Sequence, residues 1–122
     1  MRPETEAELA GMIRDAGGPL IIRGGGTRPI GRAGPGEVLE TGAITGISLY
    51  EPGALTLVAR AGTPVAEIEA ALDAEGQRLP FEPMDHRGLL GTQGAPTLGG
   101  LAAGNVSGPR RIQAGACRDH ML

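Results

Sequence analysis

Lysine and tryptophan are absent from these 122 residues, and Tyr50, Phe81 and Cys117 are the sole members of their types. Without lysine there is no Walker-type phosphate loop, whose lysine must reach the terminal phosphates of a nucleotide. Two aromatic rings cannot build the stacking platforms on which single-stranded nucleic acid is held, so an RNA or DNA role is not expected. One cysteine excludes an intrachain disulfide and suits a reducing compartment. The acidic start from Met1 to Leu9 does not read as a signal peptide, and no apolar run approaches the roughly 20 residues of a membrane span. A cytoplasmic location without a membrane span is the expectation.

Glycine, in contrast, is abundant: 22 residues, where average usage near 7% gives about nine. The glycines alternate with regular apolar segments, so they mark backbone positions that need them rather than low complexity. The net charge is −3. Most carboxylates precede Asp85, whereas Arg87, Arg110, Arg111 and Arg118 lie in the last third, which therefore suits an anionic ligand.

Thr5 with Glu8 predicts a capped helix over residues 5–16, stopped by Gly17 and Gly18. Strands are predicted over 20–23, 38–41, 44–50 and 55–60, with a turn at Glu51-Pro52-Gly53. Thr63 is the expected cap of a helix that carries Pro64 at its first position and ends at Gly76. Residues 83–97 lack periodicity and read as a long loop. A short helix over 98–103 and a strand beginning at Met121 and Leu122 complete the reading.

Two glycine-rich segments carry the chemistry. The first, Arg23-Gly24-Gly25-Gly26-Thr27-Arg28, follows a predicted strand. Its backbone amides can converge on a pyrophosphate, with a hydroxyl from Thr27 and charge from Arg28. Taken alone, an ordinary tight turn explains it equally. The Rossmann fingerprint fails, because Pro29 and Leu39 stand where its third glycine is required. The second segment runs from Ala95 through Pro96-Thr97-Leu98-Gly99-Gly100 to Gly104-Asn105, and on past Gly108 to Arg118-Asp119. It predicts a short small-residue helix with free amides at its start and a release at Gly104 or Asn105. Packing against a neighbouring element is the alternative use of those small residues. His86 and His120 have no metal-site spacing with Cys, Asp or Glu and read as loop histidines, and Cys117 reads as a packing residue. No metal is expected, and the sequence assigns no catalytic residue.

The ordered set R-G-G-G-T, A-R-A-G-T-P, L-P-F-E-P and P-T-L-G-G-L-A-A-G-N-x-S-G-P-R-R, followed by G-x-x-R-D, resembles the PCMH-type (vanillyl-alcohol oxidase) FAD-binding domain over nearly the whole chain. Gly62-Thr63-Pro64, Leu79 to Pro83 and Ser107 to Arg111 are similar, more narrowly, to the FAD-binding subunits of bacterial glycolate oxidases. The resemblance implies an α+β fold: a first subdomain, residues 1–50, built as a small parallel βαβ unit, and a second, residues 51–122, largely antiparallel and incomplete.

It further implies noncovalent FAD. Gly24, Gly25, Gly26 and Thr27, with Arg28 beside them, would hold the pyrophosphate. Pro96, Thr97, Leu98, Gly99, Gly100, Gly104, Asn105 and Gly108 would line the flavin side, and Arg118 and Asp119 would return toward the cofactor. The implied reaction passes a hydride from a small 2-hydroxy acid to flavin N5, in a complex with other glycolate oxidase-like subunits. A module that contributes cofactor contacts and an interface, without activity of its own, is the alternative. The unpaired edges of an incomplete sheet would invite homodimerisation and weak FAD binding. A branched side chain at Gly25 is expected to abolish FAD retention while sparing most of the fold.

Overall fold

The computed structural model describes residues 1–122. Helix α1 (Glu6–Asp15) begins where Thr5 Oγ1 accepts from Glu8 N–H at 3.2 Å. The Glu8 carboxylate closes back on the amide of Glu4 (2.8 Å), one residue ahead of the cap itself. Pro19 then delivers the chain to β1 (Leu20–Arg23), which pairs in parallel with β2 (Glu37–Glu40), from Leu20 opposite Glu37 to Arg23 opposite Glu40. The α+β class with a small parallel sheet holds. The connection between the two parallel strands, residues 24–36, contains no helix, so the order is αββ rather than βαβ. Its glycine run with Pro29 and Pro35 has low helix propensity throughout. The chain start lies along β2: the Met1 amino group donates to Val38 O (2.6 Å), and Glu40 N–H to Met1 O (2.8 Å).

The second sheet is a hairpin of β3 (Ile47–Glu51) and β4 (Thr56–Ala59), antiparallel, with Leu49 opposite Val58. Both strands are shorter than predicted. Ile44 is buried at a turn closed by its N–H to Thr41 O (3.1 Å), and Pro52–Ala54 form a 3-10 turn that leaves Leu55 left-handed at φ 51°. The change of sheet falls within residues 41–46.

Helix α2 (Val65–Asp73) follows Pro64 directly, and Thr63 is not its cap. The Val65 N–H that a cap would have helped satisfy goes to Pro96 O at 2.8 Å. Thr63 is fully buried instead; its hydroxyl accepts from Gly46 N–H (2.9 Å) and donates to Gly46 O (3.2 Å). A one-turn helix, α3 (Arg87–Leu90), interrupts the predicted loop 83–97. Helix α4 (Leu98–Ala103) lies where predicted, followed by α5 (Arg111–Ala114).

Where a strand was expected to approach at the chain end, Cys117–His120 make a 3-10 turn closed by Asp119 Oδ2 accepting from Ala116 N–H (2.8 Å); Met121 is extended but unpaired. No helix is long and apolar enough to cross a membrane.

With so few aromatics, the core is aliphatic: Val65, Leu101, Val106 and Cys117 gather around Phe81, with Leu79 and Ala102 at its margin. The accessible surface is 7875 Å², against about 6,100 Å² for a compact monomer of this mass. Part of the excess is apolar, including the facing pair Leu49 and Val58 on the hairpin, each nearly half exposed.

Candidate cofactor-binding site

A cleft of about 1340 Å³ opens between the loop after β1 and helix α4. Its lining includes Gly24, Gly25, Gly26, Thr27 and Arg28 from the first side, and Thr97, Gly99, Gly100, Gly104 and Asn105 from the second. The structure thus brings the two glycine segments together. Their approach is close enough to exclude side chains: a Cβ on Gly25 would overlap the carbonyl oxygen of Ala95, and one on Gly24 would lie 2.8 Å from Thr97 Oγ1. Thr92 Oγ1 donates across the same seam to Thr27 O at 2.8 Å. Gly25 therefore serves loop-to-loop packing, and a branched residue there strains the fold itself rather than acting on a ligand alone.

The backbone amides of Gly24, Gly25, Gly26 and Thr27 find no acceptor within the protein. Gly26 has φ 68°, the left-handed geometry that turns successive N–H groups into one concavity. The opposite holds at α4, which was expected to offer free amides. Leu98 N–H donates to Thr63 O (2.9 Å), Gly99 N–H to Ala61 O (2.7 Å) and Gly100 N–H to Thr97 Oγ1 (3.3 Å). Helix α4 contributes shape, and the first loop contributes donors.

Arg28 stands between them. Its Nη1 is occluded from solvent and has no hydrogen-bond partner, and none of the five ion pairs involves it. Burial draws its pKa below the ordinary arginine value, opposed in smaller part by the neighbouring Cys117. The Cys117 thiol is pushed up by burial, with Arg28 partly offsetting; it is a neutral packing group. Arg23, Arg32 and Arg111 also line the cleft, and no carboxylate does. In a chain of net charge −3 this is a local reversal of sign that favours an anion.

The remaining predicted residues lie elsewhere. Pro96 and Leu98 are engaged by the backbone bonds that tie them to Val65 and Thr63. Gly108 packs on Glu82, whose Cβ would lie 2.5 Å from an added Cβ; it borders a separate hollow of about 970 Å³ beside α2. Asn105, left-handed at φ 43°, ends α4 and accepts from Arg118 N–H through Oδ1 (3.0 Å). Arg118 bonds to Asn105 and Asp119 to Ala116, and neither lines the cleft.

Sequence reasoning did not single out Ile21, Ile22, Thr41, Ala61, Gln93 or Ser107 as lining residues. Ala61 and Ser107 stand within the quoted motifs, and no local pattern marks the other four. His86 also lines the cleft, its Nδ1 3.1 Å from Met84 O. Just beyond it, Asp85 accepts from Arg87 through the backbone N–H (3.0 Å) and the guanidinium (2.7 Å to Nη2), which holds the Asp85 carboxyl down to about 2. Arg87 Nη1 also donates to Gly94 O (3.0 Å), securing the loop that carries Ala95.

Free amides, an unpaired guanidinium and a wall of small residues fit a diphosphate attached to an extended planar group. The protein family described as an FAD binding domain matches residues 1–122. The glycolate oxidase subunit GlcE of Escherichia coli (strain K12) is 41% identical over 105 residues, which are 85% of this chain and 28% of that protein. The chain thus spans less than a third of the length of that relative. Matched along its whole length, the chain belongs to the FAD binding domain family.

Proposed function

We propose that the chain supplies the FAD-binding portion of a flavin-dependent 2-hydroxy-acid oxidoreductase subunit, with glycolate as the model substrate. The observation that carries this reading is the unsatisfied amide run Gly24 to Thr27 beside the unpaired Arg28, in a cleft free of carboxylates. The likeness to a glycolate oxidase subunit supports the substrate class.

Gly24, Gly25, Gly26 and Thr27 would donate backbone hydrogen bonds to the diphosphate, and Arg28 would offset its charge. Thr97, Gly99 and Asn105 would shape the wall toward the flavin ring, with Gly100 and Gly104 beside Arg28 at its phosphate end. Pro96, Leu98, Gly108, Arg118 and Asp119 would hold that wall in place from outside the cleft. Bound FAD supplies the hydride acceptor at N5 for oxidation of the 2-hydroxy acid. The protein's part is to bind, orient and shield.

We divide the chain into a first unit, residues 1–50, and a second, residues 51–122, with the hairpin joining them. The cleft lies between the segments they contribute. Other subunits would complete the substrate site, since His86 is the only histidine lining the cleft and no carboxylate, cysteine or tyrosine does. That scarcity favours a second reading, in which the chain is a cofactor-contact and assembly module without activity of its own. The exposed Leu49–Val58 face supports self-association of the isolated chain.

A visible spectrum of the purified protein tests the reading. Absorption near roughly 450 nm that travels with the folded protein on gel filtration and passes to the small-molecule fraction on unfolding is expected, because flavin absorbs there and adenine nucleotides do not. A colourless protein that takes up ADP but not FAD on titration would overturn it in favour of a nucleotide-binding module.

A further inference from the structure

Gly100 and Gly104 stand one turn apart on α4, and both face Arg28. A Cβ on Gly100 would lie 3.4 Å from Arg28 Nη2, and one on Gly104 3.1 Å from Nη1. The second distance is tighter than ordinary packing, so a methyl group on Gly104 would displace the guanidinium, whereas one on Gly100 would only touch it. Backbone geometry does not require glycine at either place. Gly100 is inside the helix, and Gly104, at φ −82° and ψ −5°, has right-handed geometry open to any residue. Alanine would favour the helix at Gly100 and leave the cap geometry at Gly104 open. What glycine supplies here is room, and Arg28 occupies that room.

The room has an electrostatic cost. The guanidinium donates no side-chain hydrogen bond to the protein, and its Nη1 is closed off from water. Arg28 is half-buried, and for the occluded Nη1 an anion brought to it would supply the partner that the protein does not.

We infer that Gly100 and Gly104 act on the cofactor through Arg28: they are positioning residues, forming a notch that seats the guanidinium so that it meets an anionic phosphate oxygen of FAD. The inference rests on the proposed function and deepens it. It differs from the expectation that these glycines exist to let the flavin ring approach the backbone. In that case an added methyl would obstruct the ligand whether or not Arg28 were present.

A double-mutant cycle separates the two. FAD and, as a phosphate-free probe, riboflavin are titrated by flavin fluorescence into the full chain and into Gly104→Ala, Arg28→Met and the double variant. Each single variant is expected to weaken FAD about tenfold, the loss typical of one charge-assisted hydrogen bond. The double variant should bind within about twofold of Arg28→Met alone, the tolerance that separates coupled from additive sites. Riboflavin affinity should be equal in all four proteins. The thermal midpoint of Gly104→Ala should be no lower than that of the parent, whereas a merely structural glycine would lower it.

Should Gly104→Ala prove unstable, Gly100→Val, whose methyl groups reach beyond the 3.4 Å at which a Cβ would touch Nη2, completes the same cycle. Equal losses from the glycine substitution in both backgrounds, or unchanged FAD binding by Arg28→Met, would overturn the inference while leaving the cofactor reading intact. Failure of the parent chain to bind FAD at all would remove both.

Discussion

Gly25 and Ala95 meet so closely that a Cβ on Gly25 would overlap the Ala95 carbonyl oxygen. The two glycine segments are therefore one packed unit, and the first substitution to consider is the smallest. Gly25→Ala is expected to destabilise the protein by about 1–3 kcal/mol, the usual cost of overpacking, and to lower flavin content in parallel. Urea unfolding beside flavin absorbance measures both. Loss of flavin with an unchanged unfolding midpoint would mean that the seam between Gly25 and Ala95 is dispensable.

Thr63 offers a second test, away from the cleft. Its hydroxyl closes both backbone groups of Gly46 from a fully buried position. Thr63→Val keeps the shape and strands those groups, at an expected cost of about 1–3 kcal/mol. Thr63→Ser should recover most of it. Equal chemical-denaturation midpoints for parent and valine variants would show that solvent replaces the hydroxyl.

Asp85 supplies the pH dependence. Its carboxyl is lowered from an ordinary 3.8 to about 2 by hydrogen bonds from Arg87. A depressed folded-state value means that the group's stabilisation is fully present above the unfolded value and is lost as pH falls through the folded one. The Asp85–Arg87 clamp should therefore be complete above about pH 4 and released near pH 2. Following the Asp85 carboxyl carbon by NMR should give a midpoint near 2; a midpoint at 3.8 would mean that the clamp is absent in solution. The Arg87–Leu90 turn should lose amide protection over the same window.

Noncovalent attachment is the fourth expectation. The resemblance to PCMH-type domains implies it, because Thr27 stands where those with a histidyl flavin would carry histidine, and Cys117 is buried in the core. Acid precipitation of the flavin-loaded protein should leave all yellow colour in the supernatant, and colour in the pellet would reveal a covalent tether.

The parts of the fold visible in the sequence are those set by neighbours along the chain. β1 could be bounded to the residue because its apolar run is bracketed by Pro19 and Gly24, and α4 because Pro96 precedes it and Gly104-Asn105 release it, while its cap at Thr97 emerged only in the structure. Thr63 was misread because a local capping pattern competes with a partner 17 residues away at Gly46, and burial favours the partner. α3 was missed because a single turn held by Asp85 and Arg87 has no periodicity to detect.

At the site, both glycine segments were legible, but the division of labour between them was not. The amides of α4 are consumed by the carbonyls of Ala61 and Thr63, a backbone-to-backbone pairing that leaves no mark on side-chain type. The relation of Arg28 to Gly104 is likewise long-range, and neither residue alone suggests it.

The bond from Thr92 to Thr27 spans 65 residues of sequence. Closing so long a loop costs entropy before any contact compensates for it, so such seams form late in folding and open early in native fluctuations. The hairpin and α2, built from neighbours in the chain, can form without waiting for that closure. The cleft is therefore expected to assemble last, and a ligand that bridges its two sides would act as a template for that step. Cofactor supply during synthesis would then govern how much of the protein escapes the partly open state in which proteases and aggregation compete for it.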